Sequence, residues 1–361
     1  MAGDSTGKMD ARSRLTDLML GAWAVQALAV FVRLAIPDVL KDEAKPGALL
    51  AAEVGADADS VERLLRALTS VDVVECLENG TYRLTDLGQL LRSDGEGGAG
   101  AMIAMVGDPS HWLPWGSAYD AVVSGEPVSK QVFGKSFWDY IAENSDQQAR
   151  FNRAMTDTSK RASKTIASKY DFSQFTTVVD VGGGQGILLQ TVLREYPHLK
   201  GILFDLPQVL DSAEIDDDLK ERIELIPGSF LETAPGGGDL YVMKHIIHDW
   251  ADDACLEILK NIRAVIPDHG RLLISDAVLP GSIPESGNTA DSDSDSASPS
   301  QSGLRSTFPY WLDLNMMIIL GGRERTEAEF ADLLAKTGFE YLGVVPTDGP
   351  TGLVEAKPAP G

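Results

Sequence analysis

The chain has 361 residues, 31 basic and 54 acidic, for a formal charge of −23; 43% of its residues are hydrophobic and 24% charged, a globular composition with length enough for two domains of about 150 residues each. That acidity excludes nucleic acid and anionic membrane surfaces as partners, because like charges would oppose binding. No run approaches the ~18 uninterrupted apolar residues of a membrane span, the opening MAGDSTGKMD lacks signal-peptide grammar, and two cysteines make no disulfide framework, so the cytoplasm is the expected compartment.

Residues 12–45 contain LTDLMLGAWAVQALAVFVRLAI, closed by Pro37. With few charges all the way round, it reads as a helix buried on most of its surface, and a second subunit is the expected cover. LLAAEVG follows, then a helix capped by Asp59 or Ser60 with Val61, Leu64, Leu65 and Leu68 on one face. Two short strands flank Asn79-Gly80 in VVECLENGTYRLT, a strong hairpin signal. Three helices and a hairpin make a winged-helix pattern, assigned to residues 1–105.

A Gly-rich joint, Ser93–Gly100, leads into a second domain, assigned to 106–361. From Thr176 strands and helices alternate: TTVVDVG, GILFD, RIELIPG, DLYVMKH and RLLISDAVLP are the strands. Such alternation implies an α/β fold with a mostly parallel, doubly wound, Rossmann-like sheet. Gly281–Gly303, rich in Ser, Asp and Gly, has almost nothing to bury and is expected to be a disordered loop.

The sharpest chemical feature is Asp180-Val181-Gly182-Gly183-Gly184-Gln185-Gly186. Glycines between strand and helix let the backbone approach a ligand closely, but the dinucleotide pattern fails at Ile187, which lowers a nicotinamide or flavin reading. Asp205 ends the next strand, at a spacing suited to a ribose diol, and Asp180 adds a carboxylate for an ammonium group. S-adenosylmethionine carries both groups. His245 and His248 form H-x-x-H beside Asp249, but His111, His198 and His269 offer no completing spacing, so no metal is expected. Taken alone, His248 at a helix start reads more readily as a surface or capping residue than as a catalytic one. His245 reads as packed core, Arg323 and Arg325 as loop charges either of which can pair with Glu324, Trp112 and Trp115 as packing residues, and Cys255 as buried and inert.

DVGGGQG, FDLPQVL, MKHIIHDWADDACLEILKNIRAVIPDHGRLLISDAVLP and GGRERTEAEF together resemble the small-molecule O-methyltransferases typified by plant caffeate enzymes. The likeness is closer still to bacterial antibiotic-tailoring members such as the anthracycline and mitomycin O-methyltransferases. The resemblance implies a methyl donor held by Gly182, Gly184, Asp205, Leu206, Ser229, Phe230, Lys244 and Trp250, with Ser159 reaching the donor. It implies His248 as general base, bracketed by Asp276 and Glu324, and an aromatic acceptor among Phe137, Met155, Asp249, Trp311, Asn315 and Met316. It also implies a homodimer formed through the N-terminal domain. An imidazole near pKa ~6.5 would stand half-poised at neutral pH to take a phenolic proton.

Two rival functions follow from the same sequence. A winged helix can bind DNA, but residues 46–94 hold four arginines against nine acids and no basic recognition helix. A methyltransferase fold can also host a hydroxylase or decarboxylase that keeps the donor site.

Overall fold

The N-terminal apolar run forms a helix, Ala11–Arg33, because Asp10 caps it by accepting the Arg12 N–H at 2.9 Å and nothing in it breaks the turn. The computed structural model describes residues 10–95, 98–281, 299–347 and 351–360. Two units divide the chain: Met1–Leu113 with Trp138–Thr158, and Pro114–Phe137 with Ser159–Gly361. The division thus falls at 113/114, 137/138 and 158/159, where composition alone placed one boundary at 105/106.

In the first unit only Ala29 and Phe31 of the opening helix are buried, while Leu18 and Trp23 stand 66% and 67% exposed. In the single chain the helix is thus mostly exposed, and the burial expected for it is the one assigned to a second subunit. By length and composition this helix could also cross a membrane, which corrects the expectation that no segment reaches that size. Phe31 joins Ile36, Leu50, Leu65, Leu68 and Tyr82 in the unit's core. The helix Ala58–Thr69 is capped by Asp57, not by Asp59 or Ser60; its carboxylate accepts the Ser60 N–H at 2.9 Å. Strands β1 (Lys45–Pro46), β2 (Val74–Cys76) and β3 (Thr81–Leu84) form an antiparallel sheet in the order β1-β3-β2. The β2–β3 hairpin turns at Asn79-Gly80, where Asn79 Oδ1 accepts the Thr81 N–H at 3.1 Å.

The second unit is built on β4 (Thr177–Val181), β5 (Lys200–Asp205), β6 (Ile223–Pro227), β7 (Leu240–Lys244), β8 (Arg271–Leu279), β9 (Arg325–Thr326), β10 (Phe339–Pro346) and β11 (Thr351–Pro358). Their order is β10-β11-β8-β7-β4-β5-β6, with β9 on β8. Strands β4 to β9 pair in parallel, and β10 and β11 close one end antiparallel. Strands β4 to β8 lie where the apolar runs place them. The C-terminal β10–β11 pair went unread in the sequence. One core cluster gathers Val179, Met243 and Leu272 with the helices Asp252–Arg263 and Glu327–Lys336. A second gathers Val178, Leu203 and Val242 with the helix Ile187–Glu195. Alternate residues of the same strands feed the two clusters, so the sheet is covered on both faces, as a parallel sheet requires.

Residues 114–137 belong to this unit through the helix Pro299–Ile319: Val128 N–H reaches the Ile318 carbonyl at 3.0 Å and Ser129 Oγ that of Ile319 at 2.6 Å. Of the expected loop 281–303, residues 282–298 lie outside the described residues, and residues 299–303 are corrected to the opening of that helix.

Candidate active site

Strand order reverses between β4 and β7, so the crevice beyond their carboxyl ends is where an open α/β sheet binds ligands. The glycine turn follows β4 there. Gly182 N–H donates to the Phe204 carbonyl at 2.8 Å, and Gly182 and Gly184 adopt φ of +68° and +59°. A Cβ on Gly182 would lie 2.5 Å from Ile246 Cδ1, whereas one on Gly184 would meet nothing within 4 Å. The first glycine thus permits tight packing, and the second faces open space where a ligand's backbone contacts can form. Asp205 is fixed at the end of β5 by Gly184 N–H on Oδ2 (2.8 Å) and by Leu206 N–H on Oδ1 (2.7 Å). Phe230 and Trp250 meet edge to face at 5.9 Å, with Phe230 in contact range of the Gly182 Cβ position.

Asp180 is buried at the end of β4, and its Oδ2 finds no hydrogen-bond partner among the described residues. Burial pushes its carboxyl up to about 7, against the pull of Lys244. Lys244 ends β7, where burial lowers its ammonium and Asp180 and Asp276 oppose that shift; its Nζ donates to Ser159 Oγ at 2.8 Å. A buried, partnerless carboxylate oxygen is costly, and a ligand ammonium would satisfy it. The residues present therefore fit S-adenosylmethionine: Asp180 for its amino group, Gly184 and its neighbours for the chain, Asp205 for the ribose, Phe230 and Trp250 for the flat base. Ser229 is half-buried beside Phe230, and Leu206 contributes its backbone N–H to the Asp205 clasp.

The proton-handling groups come from three separate places. His248 sits in the 3-10 turn Ile247–Asp249 just past β7 and is buried, which removes the surface reading. Parallel pairing of Lys244 with Ser275 brings the end of β7 beside Asp276 on β8. Pairing of Val278 with Arg325 brings β9, and Glu324 before it, to the same strand. Glu324 Oε1 accepts His248 Nδ1–H at 2.6 Å, and Glu324 N–H is anchored on Asp313 Oδ1 at 2.8 Å. Immediately after, Thr326 and Glu329 form a reciprocal capping box that fixes this loop to the helix Glu327–Lys336. Asp276 does not bracket the imidazole as expected; its Oδ2 accepts the backbone N–H of His248 at 3.2 Å. Having one methylene fewer than Glu, it holds the peptide and acts on the ring through charge.

His248 Nε2 lies 3.4 Å from Asp249 Oδ1. Burial opposes a charge on the ring, yet Asp249, Asp276 and Glu324 outweigh it and push His248 up to about 10. The half-poised imidazole is corrected by this cluster. Burial raises Asp249 to about 7 and raises both Asp276 and Glu324. His245, expected as core, is half-buried at φ +56°, its ring 5.3 Å from that of His248, and burial holds it neutral, with a pKa well below the usual value.

Neither arginine pairs with Glu324. Arg323 Nη2 donates to Glu329 at 2.6 Å, and Arg325 is buried on Asp252. Trp115, read as packing, donates its indole N–H to Asn315 Oδ1 at 2.8 Å, which leaves the Asn315 amide nitrogen as a donor. Met316 and Phe137 are buried and Trp311 is 55% exposed. Met155 lies in the first unit. Sequence reasoning missed Asp313, the buried bonding of Arg325 and the Trp115–Asn315 pair, because each depends on strand register or helix packing; only the position of Arg325 next to Glu324 carried a signal. Among the described residues no three His, Cys, Asp or Glu side chains gather as a metal site.

Known proteins resemble the chain along its length. The O-methyltransferase domain family matches residues 115–340, and the O-methyltransferase dimerisation domain family matches residues 16–94. The chain is 34% identical over 355 residues to the phenazine O-methyltransferase PhzM of Lysobacter antibioticus, covering 98% of each chain. It is 32% identical over 354 residues to the mitomycin biosynthesis 6-O-methyltransferase of Streptomyces lavendulae, covering 97% of this chain and 95% of that one. Among solved structures, the calicheamicin-biosynthesis methyltransferase CalO1 in its SAH-bound form superposes with a TM-score of 0.77 at 32% identity, over 98% of this chain and 100% of the other.

Proposed function

The chain belongs to the O-methyltransferase family and uses S-adenosylmethionine, and from that premise we propose that it methylates a phenolic hydroxyl of an aromatic natural product, with His248 as general base. The alkylating chemistry is the donor's: a sulfonium methyl carbon that an oxygen nucleophile can take, leaving S-adenosylhomocysteine. The chain's own part is to hold and to move a proton. Asp180, Gly182, Gly184, Asp205, Leu206, Ser229, Phe230, Lys244 and Trp250 form the donor cradle, with Ser159 fastening Lys244.

The single observation that carries the base assignment is the 2.6 Å bond between His248 Nδ1 and Glu324. It fixes Nδ1 as the protonated nitrogen, leaves Nε2 to accept the acceptor's proton, and stabilises the imidazolium that results. A ring pushed up to about 10 matches a phenol of pKa ~10, so proton transfer between them is close to thermoneutral once the ring is neutral. Asp249 beside Nε2, the Asn315 amide nitrogen, and Phe137, Trp311 and Met316, all of the second unit, are assigned to the acceptor side.

Names of relatives support an antibiotic or other secondary-metabolite pathway, and the dimerisation match supports a homodimer that covers Leu15, Leu18, Met19 and Trp23. Light scattering checks the dimer: Trp23→Asp should yield monomer, and a monomeric wild type overturns it. Incubation with S-adenosylmethionine and a panel of hydroxylated phenazines, quinones and phenolic polyketides tests the function. A gain of one CH2 per acceptor is expected. An acceptor that is oxidised or decarboxylated with the donor unconsumed would establish the hydroxylase or decarboxylase reading instead.

A further inference from the structure

We propose that Arg325 is a positioning residue that holds the His248 turn and the Glu324 loop in one register, an inference that rests on His248 being the proton acceptor. The guanidinium is 1% exposed, although it stands in a loop-to-strand junction. Its Nη1 donates to the carbonyls of Ile247 (3.1 Å) and Arg323 (3.2 Å), and its Nη2 to the carbonyl of Trp250 (3.0 Å). Nη2 and Nε share Asp252 Oδ1 at 2.7 and 3.2 Å, and Nη2 also touches Cys255 Sγ at 3.4 Å.

Those carbonyls are not arbitrary. Ile247 and Trp250 flank His248 and Asp249, and Arg323 immediately precedes Glu324. One planar cation therefore ties the two backbones whose side chains meet in the 2.6 Å His248–Glu324 bond. Two close approaches work the same way: Arg323 N–H reaches the His248 carbonyl at 2.9 Å, and a Cβ on Gly322 would stand 2.0 Å from that oxygen. Burying a full cation is costly, and its carboxylate partner Asp252 is 54% exposed. An apolar side chain would fill the same space at lower cost, but it could not fix carbonyls on both sides of a seam. Lysine could not either, since its donors share one nitrogen, whereas arginine spreads five N–H groups over a rigid plane.

The groups facing His248 set what the clamp controls. Asp249 comes from its own turn, Asp276 from β8, Glu324 from before β9 and the neutral His245 ring from the end of β7. Arg325 draws the Asp276 carboxyl down by its charge. Arg325→Lys keeps that charge and removes only the fork. Loosening the Glu324 contact weakens the support for a charged ring, so the His248 midpoint should fall.

The test is a nitrogen-15 NMR titration of the histidine rings in the full chain, with His248 assigned by its loss in His248→Gln. Arg325→Lys should lower the His248 midpoint by about one unit or more, while S-adenosylhomocysteine affinity by calorimetry stays within twofold of wild type. Asp252→Asn, which leaves the three carbonyl bonds, should move the midpoint less and in the same direction; it decides the matter if Arg325→Lys does not fold. A midpoint unmoved in these variants overturns the inference alone, provided His248→Gln lowers kcat as the loss of the base requires. Full activity in His248→Gln overturns the base assignment, and this inference with it.

Discussion

The donor cradle and the proton cluster lie side by side in one sheet, yet they are built on opposite principles. The proposed cradle has a consecutive backbone core: residues 182–186 turn directly out of β4, and Asp205 is clasped by the N–H of Gly184 in that turn and by that of its own neighbour Leu206. The proton cluster has no consecutive core beyond His248-Asp249. It joins the turn after β7, the interior of β8 and the residue before β9, and a bonded arginine closes the seam. A ligand that must be approached closely is best met by glycine and amide groups. A proton that must be held at a shifted affinity needs several charges in one buried volume, which a single short segment cannot supply.

If the two halves are separable, substitutions should split binding from rate. The largest effect belongs to His248→Gln, which keeps a polar side chain but no proton acceptor: kcat should fall roughly 10²–10⁴-fold with donor affinity near wild type, checked by steady-state kinetics beside calorimetry. Gly182→Ala should do the reverse. A side chain at φ +68° costs about 1–2 kcal/mol in general, and here it also drives into Ile246. Donor affinity should drop at least about tenfold, while the His248 titration stays put. Loss of both in either variant would show that the halves are one mechanical unit.

Glu324→Gln sharpens the contrast further. Removing the carboxylate that stabilises the imidazolium should cost about tenfold in kcat, one pKa unit's worth of interaction. The acid limb of the rate should also move to lower pH. The sign follows from the shift: His248 stands well above its usual value, the base must be neutral, and so the wild-type rate climbs toward alkaline pH. The smallest effect is on the donor side. With Asp180 pushed up to about 7, its carboxylate is mostly protonated at pH 6 and mostly charged at pH 8, so donor affinity should strengthen a few-fold across that interval. Calorimetry at the two values measures it, and a flat response would place the donor's ammonium elsewhere.

Strands β4 to β8, the glycine turn and the place of Asp205 at the end of β5 were legible in the residues alone, because alternation of apolar runs and a turn of consecutive glycines are local facts. The sequence also marked His248, Glu324 and Asp276 through their resemblance to a family. It did not determine how those three meet. Asp276 bonds the peptide of His248 rather than its ring, Arg323 and Arg325 choose Glu329 and Asp252 over Glu324, and Trp115 donates to Asn315. The antiparallel β10–β11 end was equally illegible, since pairing partners decide whether a C-terminal apolar run joins the sheet. Proton affinity is the clearest case. A histidine of ordinary pKa in the sequence is driven up to about 10 by three acids drawn from its own turn, from β8 and from the loop before β9, and only strand register and burial bring them together.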